Sequence, residues 1–401
     1  MPIYLQQPAM ISAIGCGMEA HIQALLNPPA QTLLQTNDTW VQGKNFAFGA
    51  VRETLRPFAE HTAAAHRSRN NQLLWHALEQ IEPQIMQAKQ VYGAERIAVI
   101  IGTSVSGADE NIPLFRQLAD GETPTVAFNQ QAQLHSDPAD FIRQVYGLSG
   151  LAYGVSTACT SGARALISAA RLLNAGVCDA VICGGVDTLS PLTINGFHAL
   201  EVLSDGLANP FSANRNGINI GEAAAVFVAT RDKQPDSLPL LGYGASSDAY
   251  HMSSPHPDGV GAIAAFKQSL QHAALNPDQI AWINAHGTGT RHNDRMESRA
   301  VAEVFGMQTA VTSTKPLTGH TLGAAGALEA AFLWAMVSRK WNEGGILPPQ
   351  LWDGVRDEEL PEIMLSNTGS RWPAGRRIGA SSSFAFGGNN AVLIIGEEAD
   401  A

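Results

Sequence analysis

A few residues in this sequence have the right types and neighbours for covalent chemistry. Cys159 stands in VSTACTSGARAL, just past a short apolar run. Helical spacing follows at once, with Ala163, Leu166, Ala169, Ala170 and Leu173 on one face. A cysteine at a helix N-terminus meets unpaired N–H groups and the positive end of the helix dipole. Both favour the thiolate, which is the nucleophile. The plainer alternative is a small apolar residue packing a strand-to-helix turn. Three further stretches offer partners: His286 in NAHGTGT; Lys315, His320 and Glu329 in TSTKPLTGHTLGAAGALEA; Phe386 in SSSFAFGGNN. Each also has a structural reading: a hydrogen-bonded histidine, a helix cap, a solvated Lys–Glu pair, a hairpin turn. FGGNN lacks the lysine and spacing of a phosphate loop, and HGTGT lacks the GxGxxG of a dinucleotide site.

Alternating strands and helices must hold these residues. Expected strands are 3–14, Ile97–Ile101, Ala152–Val155, Ala180–Cys183, Ile220–Thr230, Leu240–Ala245, Ile280–Ala285, the start at Ala310–Thr312, Ile378–Ser382 and Asn390–Ile395. Expected helices are Met18–Leu26, Asn70–Lys89 with a break near Pro83, Gly259–Ala274, Asp294–Phe305 and Gly323–Lys340. This rhythm predicts an α/β protein with a parallel sheet covered on both faces. The connector DKQPDSLP divides the chain into residues 1–235 and 236–401. Both parts end in strands around a glycine pair, CGGVD and FGGNN, which hints at duplication.

Composition narrows the function. The net charge of −11 argues against nucleic acid or an anionic membrane surface as partner. No run reaches the ~20 apolar residues of a membrane span. The four cysteines, Cys16, Cys159, Cys178 and Cys183, form no C-x-x-C pair and suggest neither a disulfide framework nor a zinc site. The opening MPIYLQQPAM lacks a charged, apolar leader pattern. The expectation is a cytoplasmic protein with reduced thiols and no metal.

Together, TACTSGARAL, NAHGTGTRHND, STKPLTGHTLGAAGALEA and SSSFAFGGNN, in that order, resemble the elongating β-ketoacyl-acyl-carrier-protein synthases. SDAYHMSSPHPDG around His251 and, more weakly, PFSANRNGINIGEAAA extend the resemblance over nearly the whole chain. The resemblance implies a thiolase-like fold: two similar βαβαβαββ halves in a five-layer αβαβα sandwich, working as a dimer. Cys159 would take an acyl group from acyl carrier protein. His286 and His320 would stabilise the enolate formed when malonyl carrier protein loses carbon dioxide. N–H groups of Cys159 and Phe386 would form the oxyanion hole, with Phe386 also gating the acyl pocket. Lys315 would support the histidines and pair with Glu329. Thr288 and Thr290 would hold the 4'-phosphopantetheine arm, which arrives on the carrier, so no other cofactor is implied.

The chemistry calls for such a set independently. A decarboxylative Claisen condensation needs a nucleophile that is also a leaving group, and donors for two oxyanions. Starter-type synthases have Asn where His320 stands. Thiolases need a second cysteine near the C-terminus, and the last one here is Cys183. A chain-length-factor-like partner subunit is the remaining alternative, opposed by the intact Cys159. The chain departs from the family at Ser212 for Asp, at GEAA (Gly221 to Ala224) for GEGA, and at Asn389 for Thr. With the carrier-docking arginine before Pro210 missing, Arg67 and Arg69 are the expected basic contacts. These departures point to a specialised polyene or polyketide synthase, paired with itself or with a paralogue.

Overall fold

The computed structural model describes residues 2–399. The strands used below are β1 (Ile3–Leu5), β2 (Ala9–Ser12), β3 (Ile97–Gly102), β4 (Ala152–Val155), β5 (Ala180–Asp187), β6 (Ala223–Thr230), β7 (Leu238–Ser247), β8 (Trp282–Asn284), β9 (Ala310–Thr312), β10 (Ile378–Phe384) and β11 (Asn389–Gly396). The helices used below are α1 (Met18–Leu26), α2 (Arg69–Leu78), α3 (Glu82–Tyr92), α4 (Asp137–Val145), α5 (Ser161–Asn174), α6 (Pro191–Ala199), α7 (Val260–Ala273), α8 (Arg291–Phe305) and α9 (Ala325–Val337).

The strand order repeats. In the first run of strands it is β2-β6-β5-β3-β4; in the second it is β7-β11-β10-β8-β9. Pairing directions repeat as well: the first two contacts of each run are antiparallel and the last two parallel. The hint of duplication in the glycine pairs thus has a topological counterpart. β1 joins the two runs into one sheet, pairing with β6 through Tyr4↔Thr230 and with β7 through Ile3↔Leu240. The single opening strand expected at 3–14 is therefore two. Pro8 lies in the break, where a residue without an N–H cannot continue the ladder.

Five layers result. α2, α3 and α4 cover the outer face of the first sheet, α7 and α8 that of the second, and α5 and α9 lie side by side between the sheets. Strand periodicity explains the burial. On β5, Val181 and Cys183 face the inner helices while Ala180, Ile182 and Val186 face the outer ones. All thirteen residues of α9 are buried, as an all-round apolar helix in a central layer requires. α5 and α9 cross at small residues: a Cβ on Gly162 would lie 2.7 Å from the Ala327 nitrogen, and one on Gly326 would lie 2.8 Å from Ala163. The helix expected at Asn70–Lys89 is α2 and α3, joined by a 3₁₀ turn at Glu79–Ile81 with Pro83 in the first turn of α3. Among the described residues, no helix is long and apolar enough to cross a membrane.

Candidate active site

Cys159 follows β4 through a cross-braced turn. The Ser161 hydroxyl accepts from the Thr157 N–H at 2.9 Å and donates to the Ala158 carbonyl at 2.6 Å. Ala158 is held at φ 50°, a left-handed conformation costly for a residue with a Cβ. The turn places Cys159 buried at the mouth of α5. The backbone N–H groups of Cys159 and Phe386 both face Sγ. These donors and the Lys315 charge favour the thiolate, but burial outweighs them and pushes the thiol up to about 12. The helix N-terminus alone therefore does not yield a resting thiolate, contrary to the local sequence expectation. Desolvation is a tertiary effect and was invisible in the motif.

His320 Nε2 lies 3.1 Å from Cys159 Sγ. The ring of His286 stands across from it, 5.1 Å between centroids and nearly perpendicular at 85°. The ligand atoms of Cys159, His286 and His320 all lie within 4.8 Å of one another. Burial, then the nearby Lys315 charge, holds both histidines well below their ordinary range, so both rings are neutral near pH 7. Lys315 Nζ sits 3.4 Å from His286 Nδ1 and 2.5 Å from Glu329 Oε1. An ammonium has only protons to give, so it fixes His286 with its proton on Nε2, toward the cavity. It is also a poor neighbour for a metal cation on the same three side chains. The Lys315–Glu329 pair is buried rather than solvated; burial pushes the Glu329 carboxyl up and Lys315 draws it back.

Three backbone anchors set the histidines, and none was named from the sequence. Glu297, buried on the first turns of α8, accepts from the His286 N–H at 2.8 Å, the Gly287 N–H at 2.6 Å and the Ser382 hydroxyl at 2.8 Å. The His320 N–H donates to the Asn219 carbonyl at 2.6 Å, and the His320 carbonyl accepts from the Gly221 N–H at 2.9 Å. Asp187, at the end of β5, accepts from the Gly323 N–H at 2.6 Å, the Thr103 hydroxyl at 2.7 Å and both the N–H and hydroxyl of Ser104. In the sequence Glu297 stands only as an acid in the second turn of a helix.

A cavity opens above the trio. Thr288, Thr290 and His292 line one side; Phe197, Ile218, Phe384 and Phe386 line another. Thr288 and Thr290 share a hydroxyl contact at 2.9 Å, and Thr290 also caps α8 by accepting from the Asn293 N–H. The Phe386 ring packs on Phe197 at 5.6 Å. Its turn needs glycine next: Gly388 has φ 78°, and a Cβ there would meet Asp248 at 2.9 Å.

The departures from the family pattern have local reasons. Ser212 donates to Asp353 at 2.8 Å, and Asn214 reaches the other oxygen of that carboxylate, so the acid missing at 212 is supplied by another loop. Gly221, in GEAA, approaches the Thr318 carbonyl so closely that a Cβ would lie 2.1 Å from it. Asn389 simply opens β11 opposite Ser247. Arg69 is less available as a docking contact than its sequence implied: it pairs with the buried Glu222 at 2.6 Å, while Arg67 binds the carbonyls of Glu60 and Thr62.

Known proteins carry the same features. Residues 47–234 match the beta-ketoacyl synthase N-terminal domain and residues 239–351 the C-terminal domain. Nodulation protein E of Rhizobium leguminosarum bv. trifolii is 35% identical over 314 residues, 75% of each chain. The 3-oxoacyl-[acyl-carrier-protein] synthase 2 of Coxiella burnetii is 32% identical over 321 residues, again 75% of each. A ketosynthase, ApeO, solved in complex with its chain length factor, ApeC, from Xenorhabdus doucetiae superposes with a TM-score of 0.92 at 42% identity, covering 99% of this chain and 98% of that one. A twice-used strand order around a buried cysteine and two neutral histidines, with matching relatives across most of the chain, places this protein in the β-ketoacyl synthase family, with its thiolase-like fold.

Proposed function

We propose that Cys159 is the acyl-carrying nucleophile of a decarboxylative condensing enzyme and that His286 and His320 are the donors for its enolate. The observation that carries this is the convergence, at the floor of one cavity, of a thiol, two neutral imidazoles and two N–H groups. In the first half-reaction the Cys159 thiol gives up its proton and the sulfur attacks the acyl carrier thioester. The tetrahedral oxyanion takes the N–H groups of Cys159 and Phe386, and the carrier thiol leaves protonated. In the second, malonyl carrier protein loses carbon dioxide. The electron pair left behind becomes an enolate whose oxygen accepts from the Nε2–H groups of His286 and His320. The enolate carbon attacks the Cys159 thioester, and the sulfur leaves as β-ketoacyl carrier protein forms. Lys315, held by Glu329, keeps His286 in the donating tautomer. Thr288 and Thr290 hold the pantetheine arm, and Phe386 swings with Phe197 to admit the acyl chain.

Residues 1–235 supply the thiol and residues 236–401 the histidines. The reading places the protein in a specialised polyene or polyketide pathway rather than in housekeeping synthesis. Its support is the likeness to the Xenorhabdus ketosynthase, 42% identical with 99% of the chain covered. That likeness also supports a ketosynthase-like second chain as partner, and a cytoplasmic setting with carrier proteins at hand. The test is mass spectrometry. Purified protein with acyl carrier protein gains one acyl mass on Cys159, and products appear when malonyl carrier protein follows. An adduct persisting in Cys159→Ala overturns the nucleophile assignment.

A further inference from the structure

Residues 217–221, GINIG, form a short strap between the cavity and His320. Ile218 lines the cavity, and Ile220 pairs with His320 as a single parallel bridge. Strap and His320 turn meet without slack. A Cβ on Gly319 would lie 2.9 Å from both the Gly221 nitrogen and the Ile220 carbonyl oxygen, and one on Gly221 would lie 2.1 Å from the Thr318 carbonyl oxygen. The lie of the strap therefore decides the lie of the His320 backbone.

Ile218 and Ile220 sit in one apolar cluster with Phe48, Leu203 and Leu322. Alternation along an extended strap turns the residue between them, Asn219, to the other face, and it is 2% exposed. A carboxamide buried there is costly unless both its ends are paired. Both are: Oδ1 accepts from the Ala208 N–H at 2.7 Å, and Nδ2 donates to the Gly206 carbonyl at 2.8 Å. The Asn219 carbonyl is the group that accepts from the His320 N–H. One residue thus joins the 206–208 loop, through its side chain, to His320, through its backbone. Its neighbours are tied elsewhere. Ile218 exchanges backbone bonds with Val202 and Ser204 at 2.8 Å, the Gly217 N–H goes to Gly289, and the Ile220 carbonyl takes the Gly49 N–H.

We propose that Asn219 is a positioning residue for His320: its carboxamide locks the strap to the 206–208 loop and so keeps the imidazole Nε2 3.1 Å from Cys159 Sγ. An apolar side chain would suit a strap of isoleucines, yet it would strand the Ala208 N–H in a buried residue and release the strap on that side. His320 would keep its backbone bonds to a support no longer fixed. What His320 does at the site rests on the function proposed above; how it is held does not.

Asn219→Val tests it by keeping the bulk and removing both side-chain hydrogen bonds. In the full chain labelled with nitrogen-15 histidine, the His320 amide of that variant exchanges with deuterium about tenfold faster than in wild type. The His286 amide, held by Glu297, keeps its rate. Decarboxylation of malonyl carrier protein loses about tenfold in kcat with KM unchanged, the mark of an interaction made in the transition state alone. Asn219→Gln, which retains both polar groups, recovers part of each loss. Asn219→Ala gives the same two changes and serves should the valine variant fail to fold. A His320 amide that does not respond, an equal acceleration at His286, or a loss carried by KM alone overturns the proposal. Exchange reads the clasp without catalysis, so a wild type that decarboxylates nothing would break the function proposed above while the amide still decides the role of Asn219.

Discussion

The N-termini of α5 and α9 are built alike and used in opposite ways. Cys159 lies three residues before Gly162, and Gly323 three before Gly326; the two glycines are where the helices touch. At α5 the Cys159 N–H, with that of Phe386, is turned toward a sulfur at the floor of an open cavity. At α9 the Gly323 N–H is already occupied by the Asp187 carboxylate, which also gathers Thr103 and Ser104. A helix N-terminus attracts an anion in either case. In one it is left open to the cavity; in the other the protein supplies the anion itself. The sealed end fixes the loop that delivers His320 from one turn upstream. The difference teaches that a duplicated scaffold gains one reactive corner by immobilising the other.

Breaking the open corner should cost most. Cys159→Ala removes the nucleophile, and condensation measured by product mass spectrometry should fall by about 10⁵- to 10⁶-fold, as for other nucleophile deletions. His320→Ala comes next. Self-acylation should survive, while decarboxylation of malonyl carrier protein and condensation fall by roughly 10²- to 10³-fold. Normal product formation by that variant would remove His320 from the chemistry.

The sealed corner should respond in stability before activity. Asp187→Ala strands the donors of Thr103, Ser104 and Gly323 in the interior, at about 1–3 kcal/mol for each buried group left unmade. A clearly lowered Tm with Cys159 still acylatable is expected; an unchanged Tm would mean the seal is not structural. Asp187→Asn, which keeps acceptor capacity, should lose less.

The smallest effect is a pH dependence at Glu297, the carboxylate gripping the His286 turn. Burial pushes it up to about 7 from an ordinary 4.5. The folded protein thus holds a proton that the unfolded chain releases between those values. Its contribution is fully present below about 4.5 and is lost as pH rises through 7. The stability of wild type relative to Glu297→Gln should therefore decline from pH 4.5 to 7 and level off above. A difference flat across that window in thermal melts would show that Glu297 does not titrate there.

Much of the scaffold was legible because periodicity is local. Met18–Leu26, Ala152–Val155 and Ala310–Thr312 carry their own apolar spacing, and the structure has them with those bounds. The four motifs that hold Cys159, His286, His320 and Phe386 were legible because each sets a chemically distinctive side chain among small residues in one short run. What could not be read was set by folding. The Asn219 carbonyl and Gly221 N–H that clasp His320 act through the backbone, which leaves no side-chain signature. Asp187 stood only in the CGGVD run, past a strand expected to end at Cys183, and its N–H partner lies far along the chain at Gly323. The thiol's upward shift depends on what covers it, and the residues that share its cavity, from Phe197 to Phe386, come from distant parts of the chain.

β1 has a consequence for how the molecule is made. Ile3, Tyr4 and Leu5 are made long before the strands they bridge, which end at Thr230 and begin at Leu238. The Leu5 carbonyl then accepts from the indole of Trp334, deeper still in the chain. β1 is thus made early relative to its partners and satisfied late. Such distant contacts slow folding and leave intermediates exposed while they wait. The seam between the two runs of strands closes only when β1, β6 and β7 are all present, so deletion of Ile3–Leu5 should lower the yield of folded protein more than the loss of so short a strand suggests.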